Sequence, residues 1–152
     1  MSQEVSFTKE ELDLIERSRV ARLATIDISG RFPHIIPICY IYDGKTFYTT
    51  LHKKSRRLRN VEKGSKASLL IDEYKEFDEQ WLVLRGILFN VKAKILNYYN
   101  DSKQFMYGWK LLTNKYHQYT SWANGKTLSP KDPDVRRIMQ LAILRKISWG
   151  FQ

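Results

Sequence analysis

The chain is poor in the residues that mark most common functional classes. It holds a single cysteine among its 152 residues, which excludes an intrachain disulfide and a cysteine-rich metal site. Cys39 lies in the apolar run of residues 35–41, the setting of a buried structural thiol rather than a nucleophile. No apolar stretch approaches the roughly 18 residues needed to cross a bilayer. The N-terminus lacks the order of charged, apolar and small residues that makes a signal peptide, so a cytoplasmic location is expected. His34, His52 and His117 are too dispersed to define a metal triad by spacing. There is no Gly-x-Gly-x-x-Gly, Walker motif or Gly-x-Ser-x-Gly elbow, which argues against a Rossmann dehydrogenase, a P-loop NTPase and a serine hydrolase. No catalytic acid–base pair stands out. Internal repeats, low-complexity tracts and linkers are also missing, so residues 1–152 are expected to form one domain.

Negative charge is also scarce. Sixteen acidic residues face 26 basic ones, a net charge of +10, and such a surface favours acidic partners such as nucleic acids, phosphates and acidic coenzymes. Charge alone does not choose among them.

What is present is a series of short β-prone segments with a few helices. Thr8 and Glu11 have capping-box spacing ahead of Leu12 and Ile15, which predicts a helix over residues 8–18. Residues 20–26 are β-prone, Asp27-Ile28-Ser29-Gly30 is a turn, and residues 32–42 form a second strand. Pro33 and Pro37 cannot donate to a ladder, so that strand must be an edge, a bulge, or a place where a ligand replaces a neighbour. Asp43-Gly44 predicts a hairpin into a strand over residues 46–50. A basic helix over 55–63, a short strand over 67–72 and a long strand over 81–96 follow. Gly86 within the long strand suggests a bulge or a close backbone approach. Residues 101–116 favour a helix, 127–133 are turn-rich, and 137–151 supply a last strand. Antiparallel strands with short turns and few helices point to an α+β fold built on a small barrel.

Within this order one run carries chemistry. Phe47-Tyr48-Thr49-Thr50 is an aromatic, β-branched strand, and Leu51-His52-Lys53-Lys54-Ser55-Arg56-Arg57 leads from it into a helix start at Ser55. Hydroxyls and helix N-terminal N–H groups donate to an anion, while Lys and Arg compensate its charge. The alternative is a solvated basic helix.

Ala21-Arg22-Leu23-Ala24-Thr25-Ile26 followed by Gly30-Arg31-Phe32-Pro33-His34-Ile35-Ile36-Pro37 resembles the opening of the pyridoxamine 5′-phosphate oxidase-like split-barrel flavoproteins. Phe47-Tyr48-Thr49-Thr50 with Ser55-Arg56-Arg57 is similar to their phosphate-binding strand and loop. Ser68-Leu69-Leu70-Ile71-Asp72-Glu73-Tyr74, Arg85-Gly86, Lys115-Tyr116-His117-Gln118-Tyr119 and Ile147-Ser148-Trp149-Gly150 continue the match in order. The last two elements most resemble a subgroup described as F-420-dependent oxidoreductases. The resemblance implies a homodimer of six-stranded antiparallel split barrels with flanking helices, and a cofactor, FMN or coenzyme F-420, in a cleft at the dimer interface. It places the cofactor phosphate at Thr49, Thr50, Ser55, Arg56 and Arg57 beside Tyr48, with Lys53 added on charge and proximity in sequence. It lays the ring along residues 34–38, naming His34, Pro37 and Ile38, and brings Trp149 from the partner chain. The implied function is hydride transfer between the cofactor and a small organic substrate, with F-420 favoured over FMN. The loop between Thr50 and Ser55 is longer than in pyridoxamine phosphate oxidase itself, and no arginine-rich substrate segment follows Trp149. Vitamin B6 oxidation is therefore a poor expectation.

The reading from another class is a basic β-barrel that binds single-stranded nucleic acid, with Tyr98, Tyr99, Tyr107, Trp109, Tyr116 and Tyr119 as stacking platforms among lysines. Those aromatics would otherwise pack in a core or an interface. A haem-binding relative of the split barrel lacks an obvious axial ligand pattern.

Overall fold

The Thr8 hydroxyl accepts a hydrogen bond from the Glu11 N–H at 3.2 Å and starts α1 (Lys9–Arg17), as the spacing of the two residues predicts. The structure is a computed structural model and describes residues 4–78, 81–116, 122–123, 126–127 and 135–151. β1 (Ala21–Ile26) turns back into β2 (Pro33–Ile38) through Gly30 at φ 73°, with the Asp27 carboxylate accepting from Ser29. β3 (Ile41–Tyr42) turns into β4 (Thr46–His52) through Gly44 at φ 97°, and Asp43 accepts from the N–H groups of Lys45 and Thr46. Positive φ is open to glycine at no steric cost. α2 (Arg56–Lys63), β5 (Lys66–Asp78), β6 (Trp81–Leu96), α3 (Ser102–Lys115), the short pair β7 (Trp122–Ala123) and β8 (Lys126–Thr127), and β9 (Arg136–Trp149) complete the order. Beyond Thr127, the turn-rich stretch expected over 127–133 lies outside the described residues.

The main sheet is antiparallel and runs β2-β1-β5-β6-β9-β4-β3. The single strand expected over 32–42 is corrected here into β2 and β3, which occupy opposite edges of this order and are joined by Cys39 and Tyr40 alone. One run of chain thus supplies both edges, and the sheet must curl to bring them together. Counted as one strand, that run gives the expected six; the hydrogen-bonded ladder itself has seven and does not close. The two prolines account for the failure of closure, because neither can donate across the gap.

Two apolar cores flank the curled sheet. The larger contains Leu23, Phe47, Leu69, Ile87, Phe89, Val91 and Leu141, and is stoppered by Leu14 and Ile15 of α1 and by Leu58 and Val61 of α2. The smaller lies where α3 presents Phe105, Trp109 and Leu112 to Tyr48, Leu96 and Ile138. α3 approaches closely because residue 108 is glycine; a Cβ there would stand 3.0 Å from the Tyr48 ring. Three of the six aromatics considered as stacking platforms are used in this core. Trp109 and Tyr116 are buried, Tyr98 packs against the same cluster at the Phe105 ring, Tyr99 and Tyr107 are exposed, and Tyr119 lies outside the described residues.

Two strand expectations change. Gly86 carries no bulge; the register shift in β6 falls between Asn90 and Val91. Its missing side chain instead admits the Trp149 indole, which a Cβ would meet at 2.3 Å. β5 is also longer than expected. Its partners on β1 stop at Leu70 and those of β6 on β9 stop at Gly86, so residues 73–78 and 81–85 extend beyond as a two-stranded ribbon.

Candidate functional site

Because β3 pairs with β4 only at Tyr48 and Phe47, the free edge of β2 and the far half of β4 bound a slot. Its two ends differ. At Cys39 and Tyr40 the backbone groups that lost their ladder are served by side chains. The Thr49 hydroxyl donates to Cys39 O at 2.6 Å. The Tyr40 N–H donates to the Tyr116 hydroxyl at 3.0 Å, and that hydroxyl lies 2.8 Å from both Tyr40 O and Arg19 O. Arg19 and Lys115 stand over the Tyr116 ring at 4.8 and 5.4 Å, and the Lys115 ammonium is 4.0 Å from the Tyr40 ring centroid. Burial, with Arg19 nearby, lowers the Lys115 amine to about 8. Burial pushes the Tyr116 phenol up to about 12.

The other end is α2's N-terminus. β4 ends at His52, the Lys53 N–H donates to Val135 O at 2.9 Å, and Ser55 in extended conformation caps the helix. The Ser55 side chain makes no cap bond, and its Oγ is buried without a hydrogen-bond partner. The N–H groups of Arg56, Arg57 and Leu58 precede the first intrahelical bond, from Arg59 to Ser55 O. No acidic residue occupies the helix's first turn. Arg57 donates from Nη2 to Thr50 O at 3.3 Å, which holds its stem against β4. Arg56 reaches toward the β1–β2 turn. There it adds to the Ser29 hydrogen bonds that keep the Asp27 carboxyl below its ordinary pKa. Further along α2, Asn60 is buried and donates from Nδ2 to the Thr25 hydroxyl at 2.9 Å. Thr25 pairs in register with His34, whose Nδ1 is buried without a partner.

The structure therefore gathers Lys53, Ser55, Arg56 and Arg57 around one helix start, with Thr50 behind them. It also places there two residues that sequence reasoning missed. The β4–β9 register sets Leu51 opposite Arg137 and His52 opposite Arg136, so two further arginines lie at the same end of the sheet, on its opposite faces, with Arg137 donating from Nη1 to Arg136 O at 2.9 Å. The only sequence signal was the tandem arginine at the head of the last strand, and strand pairing is not legible from it.

The remaining sequence-derived residues lie elsewhere or are engaged. Thr49 donates to Cys39 O and Thr50 to Arg137 O, at 3.2 Å for the latter. Each hydroxyl has one proton, so neither donates to an anion while those bonds stand. Tyr48 is buried under α3 and Ile38 in the larger core. Pro37 is exposed, and alternation along β2 sets it on the face opposite His34, Ile36 and Ile38. Trp149 ends the strand that Arg136 begins. At about 3.3 Å per residue that is up to roughly 40 Å of strand, so within one chain Trp149 lies away from the helix start. Among the described residues, no group of three or more His, Cys, Asp or Glu side chains could hold a metal ion. No described helix is long and apolar enough to cross a membrane.

An antiparallel sheet that curls without closing is the fold of a split barrel, and the sequence comparison gives its family. The chain belongs to the pyridoxamine 5′-phosphate oxidase family, whose model matches residues 7–149. Its fold is similar to that of the haem-storage protein HutZ from Vibrio cholerae (15% identity, 94% of each chain covered, TM-score 0.72). A conserved hypothetical protein from Mycobacterium tuberculosis is also similar (21% identity, 99% of this chain and 89% of that one, TM-score 0.69). So is a protein described as an F420 reductase (17% identity, 94% of this chain and 98% of that one, TM-score 0.63). No curated protein sequence matches the chain.

Proposed function

We propose that this chain is an oxidoreductase that binds a flavin or deazaflavin by its phosphate at the N-terminus of α2. The observation that carries the reading is the buried, unpartnered Ser55 Oγ beside Lys53, Arg56 and Arg57. A buried hydroxyl without a partner costs about 1–3 kcal/mol unless something fills the place. A phosphate accepts from it, from the first-turn N–H groups and from the guanidinium groups at once. Arg136 and Arg137 add positive charge at the same end. Thr49 and Thr50 then act behind this cradle by fixing Cys39 and Arg137.

A bound flavin or deazaflavin supplies hydride transfer at its ring. The chain's own part is to bind and orient. The free edge of β2 offers backbone groups along the slot, and His34 Nδ1 is available to a ligand lying there. Between the two cofactors, F-420 is favoured over FMN. α2 exposes Arg59 and Lys63 beyond Arg56, a cationic run suited to the acidic tail that F-420 carries and FMN lacks.

A homodimer completes the reading. Tyr74, Leu82, Leu84, Ile147 and Trp149 are exposed together on the ribbon and the end of β9, an apolar surface of the kind that interfaces cover. A partner docked there would bring its Trp149 to the slot that the chain's own Trp149 does not approach. The test is fluorescence titration of cofactor-free protein with FMN and with F-420, alongside sedimentation with and without each. Saturable binding with preference for F-420 supports the reading in full, preference for FMN keeps the cradle and changes the cofactor, and binding of neither overturns it.

A further inference from the structure

Helix α2 lies along the β1–β2 hairpin and is tied to it along its length. Arg56 stands near Asp27, Asn60 donates to Thr25, and the Lys63 ammonium donates to Ile28 O. The middle tie is buried, with Asn60 2% and Thr25 3% exposed, and it is incomplete. Asn60 Nδ2 is used on the Thr25 hydroxyl, while Asn60 Oδ1 is buried without a hydrogen-bond partner. Thr25 also pairs directly with His34. Direct partners carry their Cβ atoms about 4.5–5.5 Å apart on one face of a sheet. His34 Nδ1, a second buried atom without a partner, therefore lies beside the same hydroxyl.

Donors and acceptors here do not balance on their own. Asn60 Oδ1 only accepts, and the Thr25 hydroxyl has a single proton. Given to His34 Nδ1, that proton leaves Asn60 Oδ1 bare; given to Oδ1, it leaves Nδ1 bare. A buried water makes about three hydrogen bonds to such groups. In this place it accepts from the Thr25 hydroxyl and donates to both Asn60 Oδ1 and His34 Nδ1, which leaves nothing unmatched. With the imidazole proton on Nδ1 instead, one proton of the water has no acceptor in a buried place. A ligand in the slot that took Nδ1 for itself would still leave Asn60 Oδ1 unserved. The water is thus the better partner for Nδ1, and Nε2 is the nitrogen left to the ligand.

We propose that Asn60 and Thr25, through one buried water, hold His34 as its Nε2–H tautomer and so make it a hydrogen-bond donor to the ligand of the slot. Asn60 and Thr25 are then positioning residues that act through His34, which is half-buried on the edge strand β2. That the ligand is a flavin or deazaflavin rests on the cofactor reading above; both rings carry carbonyl oxygens that accept from such a donor. The tautomer itself does not depend on that reading.

Long-range 1H–15N NMR spectra of the labelled, cofactor-free chain, taken at about pH 9 where ordinary imidazoles are neutral, separate protonated from bare ring nitrogens. His52, whose Nδ1 accepts from the Lys54 N–H at 3.1 Å, supplies the reference pattern for an Nε2–H ring. His34 is expected to match it, with at least a tenfold excess of that tautomer. Thr25→Val removes the donor to the water, so the imidazole becomes the group that supplies one, and the excess should fall at least fivefold. Thr25→Ser should keep it. A His34 that is Nδ1–H or evenly mixed, or an unchanged excess in Thr25→Val, would overturn the proposal. Saturation with FMN or F-420 should move the His34 Nε2–H signal of the parent chain, and a signal unmoved at saturation would equally overturn it. Binding of neither cofactor would sink the cofactor reading, and the tautomer spectra would still decide this one.

Discussion

The two ends of the slot begin from the same event, the loss of ladder pairing where the run of residues 33–42 leaves β1 for β4, and they resolve it in opposite ways. At Cys39 and Tyr40 the orphaned backbone is satisfied from within, by the hydroxyls of Thr49 and Tyr116. At the start of α2 the hydroxyl of Ser55 stays buried without a partner, in company with cations. A buried polar group that is satisfied contributes stability, whereas one that is not lowers stability until a ligand arrives. The first end is thus a seam and the second a mouth. Mutations should separate them, with seam changes altering the stability of the free protein and mouth changes altering the affinity for the cofactor.

The largest effect should come from the mouth. R56A/R57A removes two charge-assisted contacts worth about 1.5–3 kcal/mol each, so affinity for FMN or F-420 should fall by roughly two to four orders of magnitude. Arg57 also donates to Thr50 O, so the single R57A variant should lose some thermal stability and R56A none. Titration and thermal melts of the three variants check this. Unchanged affinity in the double variant would move the phosphate elsewhere and dissolve the comparison.

At the seam, Tyr116→Phe keeps the ring between Arg19 and Lys115 but removes the hydroxyl from buried backbone groups. A loss of about 1–3 kcal/mol in denaturant unfolding is expected, with cofactor affinity little changed. A parallel fall in affinity would show that seam and mouth are one unit. The same end sets a pH dependence. The Lys115 amine titrates near 8 when folded, against 10.5 ordinarily, so between those values the unfolded chain binds more protons. Stability should therefore rise with pH over that window, by about 1 kcal/mol from pH 8 to 10 once solvent screening of the half-buried amine is allowed for. Lys115→Met should flatten the rise, as measured by urea unfolding across the range.

How much of this was legible in the sequence differs between the two ends for a physical reason. The mouth is local. Strand, loop, cap and basic helix follow one another within residues 47–63, and hydroxyl and charge chemistry can be read in order along the chain. The turns at Asp27–Gly30 and Asp43–Gly44 and the cap at Thr8 were legible on the same ground. The seam is not local. Tyr116 meets Tyr40 across 76 residues, and nothing in either neighbourhood announces the meeting. The split of residues 33–42 into two edges was half legible: the prolines said that a ladder would fail, but not that the same run would pair at both ends of the sheet. Arg136 and Arg137 were missed because their place depends on the register between β4 and β9. Tyr48 and Ile38 were named as site residues from a motif, and only packing against α3 and the barrel interior shows where their side chains go.

The smallest expected effect is also the one that divides the motif most finely. Thr49, Thr50 and Ser55 read alike in sequence as phosphate donors, yet only Ser55 has its proton uncommitted. Ser55→Ala removes one donor to a charged ligand, so cofactor affinity should fall about tenfold, near 1.4 kcal/mol. The free protein should be no less stable, because the side chain makes no cap bond that could be lost. Thr49→Val, which keeps the shape and leaves Cys39 O without its donor, should do the reverse, lowering stability by about 1 kcal/mol or more and affinity hardly at all. Titration and urea unfolding of the two variants side by side give four numbers, and the assignment requires them to cross. Were both variants to weaken binding equally, the Thr49 hydroxyl would have to turn from Cys39 to the phosphate on binding. The boundary between seam and mouth would then be a property of the cofactor-free chain alone.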